Sequence, residues 1–92
     1  MRVNLFATFY TYTGVREITL DLPPGVTVRQ VVQEIVRRYP VLNQKWLDED
    51  GELYTHVHIF LHRDEAAELV HDLNSPLATD DVLDFFPPVA GG

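Results

Sequence analysis

The chain has 92 residues, 46% of them hydrophobic and 11% aromatic, which suits one compact domain with a single small core. Its formal net charge of −7 opposes binding to a nucleic-acid backbone, which requires clustered lysine and arginine. There is no cysteine, so disulfides, thiolate metal ligands and cysteine nucleophiles are excluded. No apolar run approaches the ~18 residues of a membrane span, and the N-terminus reads as a strand rather than a signal peptide. We therefore expect a soluble, cytoplasmic protein with no nucleic-acid and no membrane partner.

The first part of the chain predicts a β-hairpin. Residues 2–9 alternate in polarity, with Val3, Leu5 and Ala7 on one face, and a Thr13-Gly14 turn follows them. Residues 16–22 form the predicted second strand, which ends at a Pro-Pro-Gly turn.

A helix is predicted next. Thr27 and Gln30 have the spacing of a capping box, and Pro40 ends the periodic run. The apolar positions fall on one side of this helix, which makes it amphipathic: Val28, Val31, Val32, Ile35 and Tyr39.

The second half of the chain predicts three strands after an irregular crossing. In that crossing, residues 41–55, Trp46 is expected to cover the edge of the core. The strands are predicted at 56–62, 68–71 and 82–86. In the first of them Val57, Ile59 and Leu61 face the core; in the last, Leu83 and Phe85 do so, while Asp84 faces water.

This order of elements, ββαβββ with one main helix on one face of a mixed sheet, is the α+β arrangement of the ubiquitin-like β-grasp fold. The predicted division is a β-grasp domain at 1–86 and an extended tail at 87–92. Three stretches, VNLFATFYTYTG, TVRQVVQEIVRRYP and SPLATDDVLDFFPPVAGG, resemble the molybdopterin synthase small subunit and related ubiquitin-like sulfur carriers. Two loops depart from the family pattern: His62 to Glu65 replaces an Asn-Gly turn, and Asp80-Asp81 replaces a Gly-Asp pair.

The tail is the most informative segment of the sequence. The run from Pro87 to Gly92 spans at most ~20 Å when it is extended, and its two prolines favour an extended course away from the domain. Gly91 and Gly92 have no Cβ, so their backbone fits a channel too narrow for a side chain. The terminal carboxylate is then the reactive group, and the residues that thread it into a partner are Pro87, Pro88, Val89, Ala90 and Gly91.

The resemblance implies a specific chemistry for Gly92. An ATP-dependent adenylyltransferase of the ubiquitin-activating type would make the acyl-adenylate, and a sulfurtransferase would supply the sulfur that converts it to a thiocarboxylate. In a hetero-oligomer with the large synthase subunit, that sulfur would build the dithiolene of molybdopterin. The isolated chain would then be a carrier or a synthase subunit rather than an enzyme. It would hold no permanent cofactor, because ATP belongs to the activating partner.

Other functions are compatible with the same tail and sheet. Thiolation of transfer RNA, or attachment to protein lysines, would use the same Gly-Gly tail. A ubiquitin-like interaction domain would bind through its sheet alone, and trimming Gly91-Gly92 would then be harmless.

The outer sheet face offers a second candidate site. If the first, last and third strands lie side by side, then Phe6, Phe86 and Phe60 form one apolar patch, with His58 beside it, which is typical of a partner interface. The alternative is that the 41–55 segment covers these rings. Although His56, His58 and His62 share a strand face, a structural zinc site usually needs four ligands, so we expect no metal.

Overall fold

The computed structural model describes residues 1–88, which form a five-stranded mixed sheet with helices packed against it. Three α-helices and a 3₁₀ turn at Pro40–Leu42 occupy the connections. In chain order the elements are β1 Arg2–Leu5, α1 Thr8–Thr13, β2 Glu17–Thr19, α2 Val28–Arg38, α3 Asn43–Trp46, β3 His58–Arg63, β4 Ala66–Leu69 and β5 Val82–Phe86.

The strands follow the order β2-β1-β5-β3-β4, which is the β-grasp arrangement. The last strand, β5, is central and runs parallel to β1 and antiparallel to β3. The first and the last strand therefore pair with each other in the sheet. The predicted adjacency of the first, last and third strands is confirmed.

Helix α2 begins and ends where its sequence signals place it. The side chain of Thr27 accepts a hydrogen bond from the backbone N–H of Gln30, and the Gln30 side chain accepts one from the backbone N–H of Thr27. The next amides, those of Val28 and Arg29, donate to the carbonyl oxygens of Ser75 and Leu73. The first turn thus satisfies its exposed donors through its own cap and the 73–76 loop.

Trp46 occupies the centre of the core, and the prediction that it only covers the core edge is wrong. Its ring is fully buried, stacks on Phe85 at 4.6 Å between centroids, and meets the ring of Phe9 edge-on at 5.4 Å. The 3₁₀ turn and α3 together bury Leu42 and Trp46 in the core. The expected structural role of Trp46 is confirmed.

The predicted strand at 2–9 is too long. Strand β1 ends at Leu5, Ala7 adopts a left-handed backbone with φ 53°, and α1 follows. Helix α1 buries Phe9, whose ring packs against Trp46. Gly14 still reverses the chain, but it does so as the left-handed cap of α1 (φ 73°), with its N–H donating to the Tyr10 carbonyl oxygen.

The other predicted strands are correct in number and shifted in their bounds. Strand β2 is shorter than 16–22, and β3 and β4 cover 58–63 and 66–69 instead of 56–62 and 68–71. The later end of β3 and the earlier start of β4 have one cause, a tight turn in which Asp64 and Glu65 both have positive φ (53° and 63°) and Arg63 pairs with Ala66. Strand β5 has the predicted bounds, with Leu83 and Phe85 buried.

The α-helices are short and mostly polar on their outer sides. Within residues 1–88, none has the length and apolar character that crossing a membrane would require.

Candidate partner-binding face and tail

Three phenylalanines form a cluster on the face of the sheet opposite the helices. Phe6 and Phe86 stack with their centroids 4.3 Å apart, and Phe60 meets Phe86 edge-on at 5.7 Å. Phe6 is 36% exposed, and the other two rings are half-buried. We call Phe6, Phe60 and Phe86 the phenylalanine patch. Contiguous exposed aromatic rings of this kind are typical of a surface that binds a partner.

Strand pairing builds the patch. The parallel register of β1 and β5 continues past Leu5, since the Phe6 amide donates to the Phe85 carbonyl oxygen at 3.2 Å. Phe6 therefore lies beside Phe86 even though β1 has ended. On the other side, β3 brings Phe60 alongside β5.

Leu69 extends the patch, and the sequence-based prediction missed it. It pairs directly with Phe60 across β3 and β4, so the two side chains share a face, and it is 42% exposed. The predicted strand at 68–71 came with no pairing register to β3, so the residue opposite Leu69 was not known. The Asp64-Glu65 turn, read as a two-residue hairpin loop, was the signal that could have found it.

Trp46, from the 41–55 segment, lies on the other face of the sheet. Its Trp46 contacts Phe85, and successive side chains of a strand point to opposite faces, so Phe85 and Phe86 are on opposite sides of β5. Trp46 therefore does not cover the patch, and Phe6 stays 36% exposed.

A polar cluster adjoins the patch. The Asn4 amide donates to Asp84 Oδ1 at 2.8 Å, and His62 Nε2 lies 2.7 Å from Asp84 Oδ2. The Asp84 side chain is only 13% exposed. The expectation that Asp84 faces water is therefore wrong. Asp84 lies on the outer face, but Asn4 from β1 and His62 from β3 cover its carboxylate and contact both of its oxygens.

The histidines do not converge on a metal site. His58 is exposed and pairs with Phe86, which places it next to the patch as expected. His62 is engaged with Asp84, and the His56 ring stacks on Tyr54 at 4.9 Å. Among the described residues no three His, Asp or Glu side chains are arranged to hold a metal ion. That the chain binds no metal stays a prediction.

The tail begins at the patch. Phe86 is the last residue of β5, Pro87 is half-buried, and Pro88 is exposed. A partner that covers the patch would therefore also meet the start of the tail. Of the predicted threading residues, Val89, Ala90 and Gly91 lie outside the described residues, as does Gly92.

A ubiquitin-like sheet with an aromatic patch at the base of a Pro-Pro-Val-Ala-Gly-Gly tail matches a defined family. The model of the ThiS family matches residues 3–92. The chain belongs to the ThiS family. This family comprises small ubiquitin-like sulfur carriers. The family assignment and the β-grasp fold inferred from the sequence are both confirmed.

The relatives of this chain include both a protein modifier and a sulfur carrier subunit. Small archaeal modifier protein 1 of Haloferax volcanii is 33% identical, and the match covers all of both chains. A crystal structure of this modifier covers 99% of the chain with a TM-score of 0.81. The molybdopterin synthase sulfur carrier subunit of Arabidopsis thaliana is 30% identical over all of this chain and 82% of its own length.

Proposed function

We propose that this ThiS-family chain carries sulfur as a thiocarboxylate on Gly92 and donates it to form the dithiolene of molybdopterin, as the small subunit of a hetero-oligomeric synthase. The observation that carries the proposal is the position of the phenylalanine patch. It lies at the point where β5 gives way to Pro87-Pro88, so one partner can bind the patch and receive the tail together.

The proposed division of labour follows from this arrangement. Residues 1–86 provide a rigid β-grasp body, and residues 87–92 provide the reactive tail. The match to the archaeal modifier covers all of both chains, so the Gly-Gly pair here corresponds to the end of that relative. The body supplies Phe6, Phe60, Phe86 and His58 as the docking surface. The tail supplies Pro87, Pro88, Val89, Ala90 and Gly91 as the threading segment.

The chemistry at Gly92 takes two steps. An oxygen of its carboxylate attacks the α-phosphorus of ATP in the adenylyltransferase, an O–P bond forms, and pyrophosphate leaves. A sulfide-level nucleophile from a sulfurtransferase then attacks the acyl carbon, so a C–S bond forms and AMP leaves. Activation is required because a carboxylate, ionised at neutral pH, is a poor electrophile. Because this activation consumes ATP, we place it in the cytoplasm.

The large synthase subunit would use the product. In the proposed complex, the thiocarboxylate sulfur attacks a cyclic pyranopterin, and hydrolysis of the acyl C–S bond leaves that sulfur on the pterin and returns Gly92 to a carboxylate. A second thiocarboxylated copy supplies the other sulfur of the dithiolene in the same way. The Arabidopsis relative named as a molybdopterin synthase sulfur carrier subunit supports this acceptor.

A second candidate function is attachment to proteins. It is favoured by the relative named as a modifier, whose 33% identity extends over the full length of both chains. In this case the activated Gly92 carbonyl is transferred to an amine instead of receiving sulfur. Thiolation of transfer RNA is a further use of the same thiocarboxylate.

The length of the tail tests all of these chemistries at once. Deleting Gly92 withdraws the carboxylate by ~3.3 to 3.6 Å, and adding an alanine after Gly92 both overshoots and introduces a Cβ. We expect either change to abolish ATP–pyrophosphate exchange by the cognate activating enzyme, because attack of the carboxylate on the α-phosphorus tolerates only small errors in the positions of the reacting atoms. Val41→Ser, an exposed change in the 3₁₀ turn that leaves the tail unaltered, is the control. Equal exchange by all four proteins would favour a domain that binds through its sheet alone.

The acceptor is then identified by mass. Intact mass spectrometry of the protein from its own cells separates a carboxylate, a thiocarboxylate and a form linked to another protein. A thiocarboxylate that disappears when the purified large synthase subunit and cyclic pyranopterin are added, with molybdopterin appearing, would establish the molybdopterin role. Conjugates as the main species would favour the modifier.

A further inference from the structure

The basic residues of this chain are almost all arginine. The sequence contains six arginines and a single lysine, Lys45. A guanidinium remains protonated in proteins and does not act as a nucleophile, whereas a lysine amine can form an amide with an activated acyl group. The chain therefore has two primary amines that could attack an activated carboxyl group, Lys45 Nζ and the amino group of Met1.

These two amines differ in their surroundings. The Met1 amino group donates to the Leu20 carbonyl oxygen at 3.3 Å and is partly buried, because β1 begins at the next residue. Lys45 is exposed on α3, and its Nζ lies 4.8 Å from the centre of the Tyr12 ring. This cation–π contact orients the amine on the surface without enclosing it.

Lys45 also lies away from the docking surface. Its neighbour Trp46 packs against Phe85, on the face of the sheet opposite the phenylalanine patch. A copy of the chain whose patch is occupied by a partner would therefore still present Lys45 to a second copy.

From these observations we infer that Lys45 is an acceptor site for the chain itself: the Gly92 carbonyl of one copy is joined to Lys45 Nζ of another. The inference rests on the proposed activation of Gly92. The neutral amine attacks the acyl-adenylate, a C–N bond forms, the C–O bond to AMP breaks, and the amine proton passes to solvent. The activated species comes from ATP and the adenylyltransferase already named.

The test separates donor from acceptor. The donor carries Lys45→Arg and an acetylated N-terminus, so it cannot accept. The acceptor lacks Gly92, so it cannot be activated. Four acceptors are compared: with Lys45 or Lys45→Arg, each with a free or an acetylated N-terminus. Arginine at this position keeps the charge over Tyr12 and removes only the nucleophilic amine.

The reaction is run in two arms. In one, the adenylyltransferase and ATP activate the donor. In the other, the donor is prepared chemically as a Gly92 thioester, which needs no enzyme, and free lysine serves as a control that the thioester is reactive. We expect a covalent dimer with both Lys45 acceptors and its loss with both Lys45→Arg acceptors, with tandem mass spectrometry locating the branch at Lys45.

Two results would overturn the inference. One is a dimer that survives Lys45→Arg and disappears on acetylation. The other is no dimer with any acceptor while free lysine consumes the thioester. A failure of the proposed function is distinct, since it appears as absent ATP–pyrophosphate exchange in the enzymatic arm and leaves the thioester arm informative.

Discussion

Phe85 and Phe86 are adjacent in β5 and stack on different partners on opposite faces of the sheet: Phe85 on Trp46 in the core, and Phe86 on Phe6 on the surface. One strand thus provides both the centre of the core and the centre of the proposed docking surface. Changes to the patch can therefore be made without touching the core, which makes the docking proposal testable by substitution.

The first prediction concerns Phe60, at the edge of the patch. We expect Phe60→Ser to weaken binding to the activating enzyme or the large synthase subunit by about 2 kcal/mol, roughly 30-fold in Kd, because aromatic anchors dominate such interfaces. Titration calorimetry measures it. Serine is preferable to aspartate, since Phe60 pairs with Asp84 and a second carboxylate there would also destabilise the sheet.

Val41→Ser is the matched control for this change. Val41 is 47% exposed in the 3₁₀ turn, away from the patch, and the change likewise replaces an apolar side chain by serine. We expect unchanged affinity for this variant. Equal affinity for the Phe60 variant and the wild type would remove Phe60 from the docking surface.

The second prediction concerns Asp81, the buried carboxylate at the start of β5. Its side chain is 1% exposed and accepts hydrogen bonds from Arg63 Nε and Nη2, at 3.0 and 2.5 Å, and from the Ala78 amide at 2.8 Å. The bonds from Arg63 are the main cause that lowers the pKa of Asp81. We expect Asp81→Asn to reduce the free energy of unfolding at pH 7 by about 1 to 3 kcal/mol.

The lowered pKa of Asp81 fixes the sign of the pH dependence of the unfolding free energy. A carboxyl whose pKa is lower in the folded state stabilises the fold above its unfolded pKa of about 4, and that contribution is lost as pH falls below it. Wild type should therefore lose more stability than Asp81→Asn between pH 7 and low pH in urea titrations. Asp80→Asn, at an exposed neighbouring position, should behave as wild type. Parallel pH profiles for wild type and the Asp81 variant would contradict the assignment.

The third prediction concerns Glu65, whose left-handed backbone (φ 63°) is strained for a residue with a Cβ. We expect Glu65→Gly to raise the free energy of unfolding by about 0.5 to 1 kcal/mol, because glycine suits this turn without strain. Glu65→Ala removes the same carboxylate but keeps the Cβ, so it should show no such gain. Thermal unfolding of both variants measures the difference, and an equal gain in both would point to charge rather than backbone strain.

The fourth prediction concerns the buried indole of Trp46. Within the described part of the chain its Nε1–H has no hydrogen-bond partner, and its ring is held by stacking on Phe85. We expect Trp46→Ala to cost about 3 to 5 kcal/mol. Trp46→Phe should cost clearly less, because it retains a stacked ring and removes the unsatisfied donor. Equal costs in denaturant titration would show that this donor and the retained ring contribute little.

Sequence alone determined the parts of this protein that depend on local rules. The capping box and the 3.6-residue apolar period placed helix α2, and alternation placed β5 with its buried pair Leu83 and Phe85. The order of elements was enough for the β-grasp fold. The tail motif indicated the sulfur carrier family, because two prolines followed by a terminal pair of glycines can be recognised in the sequence without a structure of the complex.

Tertiary structure decided the features that depend on which strands meet. Strand β1 ends before Ala7, and Phe9 packs from helix α1 against Trp46, a ring supplied by a distant segment. Asp84 is covered because Asn4 and His62 come from strands far apart in the chain. Leu69 joins the patch because a two-residue turn fixes its register. The first two outcomes depend on contacts between distant segments, and alternation within one strand contains no information about the neighbour it will acquire. The register of Leu69 depends instead on a local turn.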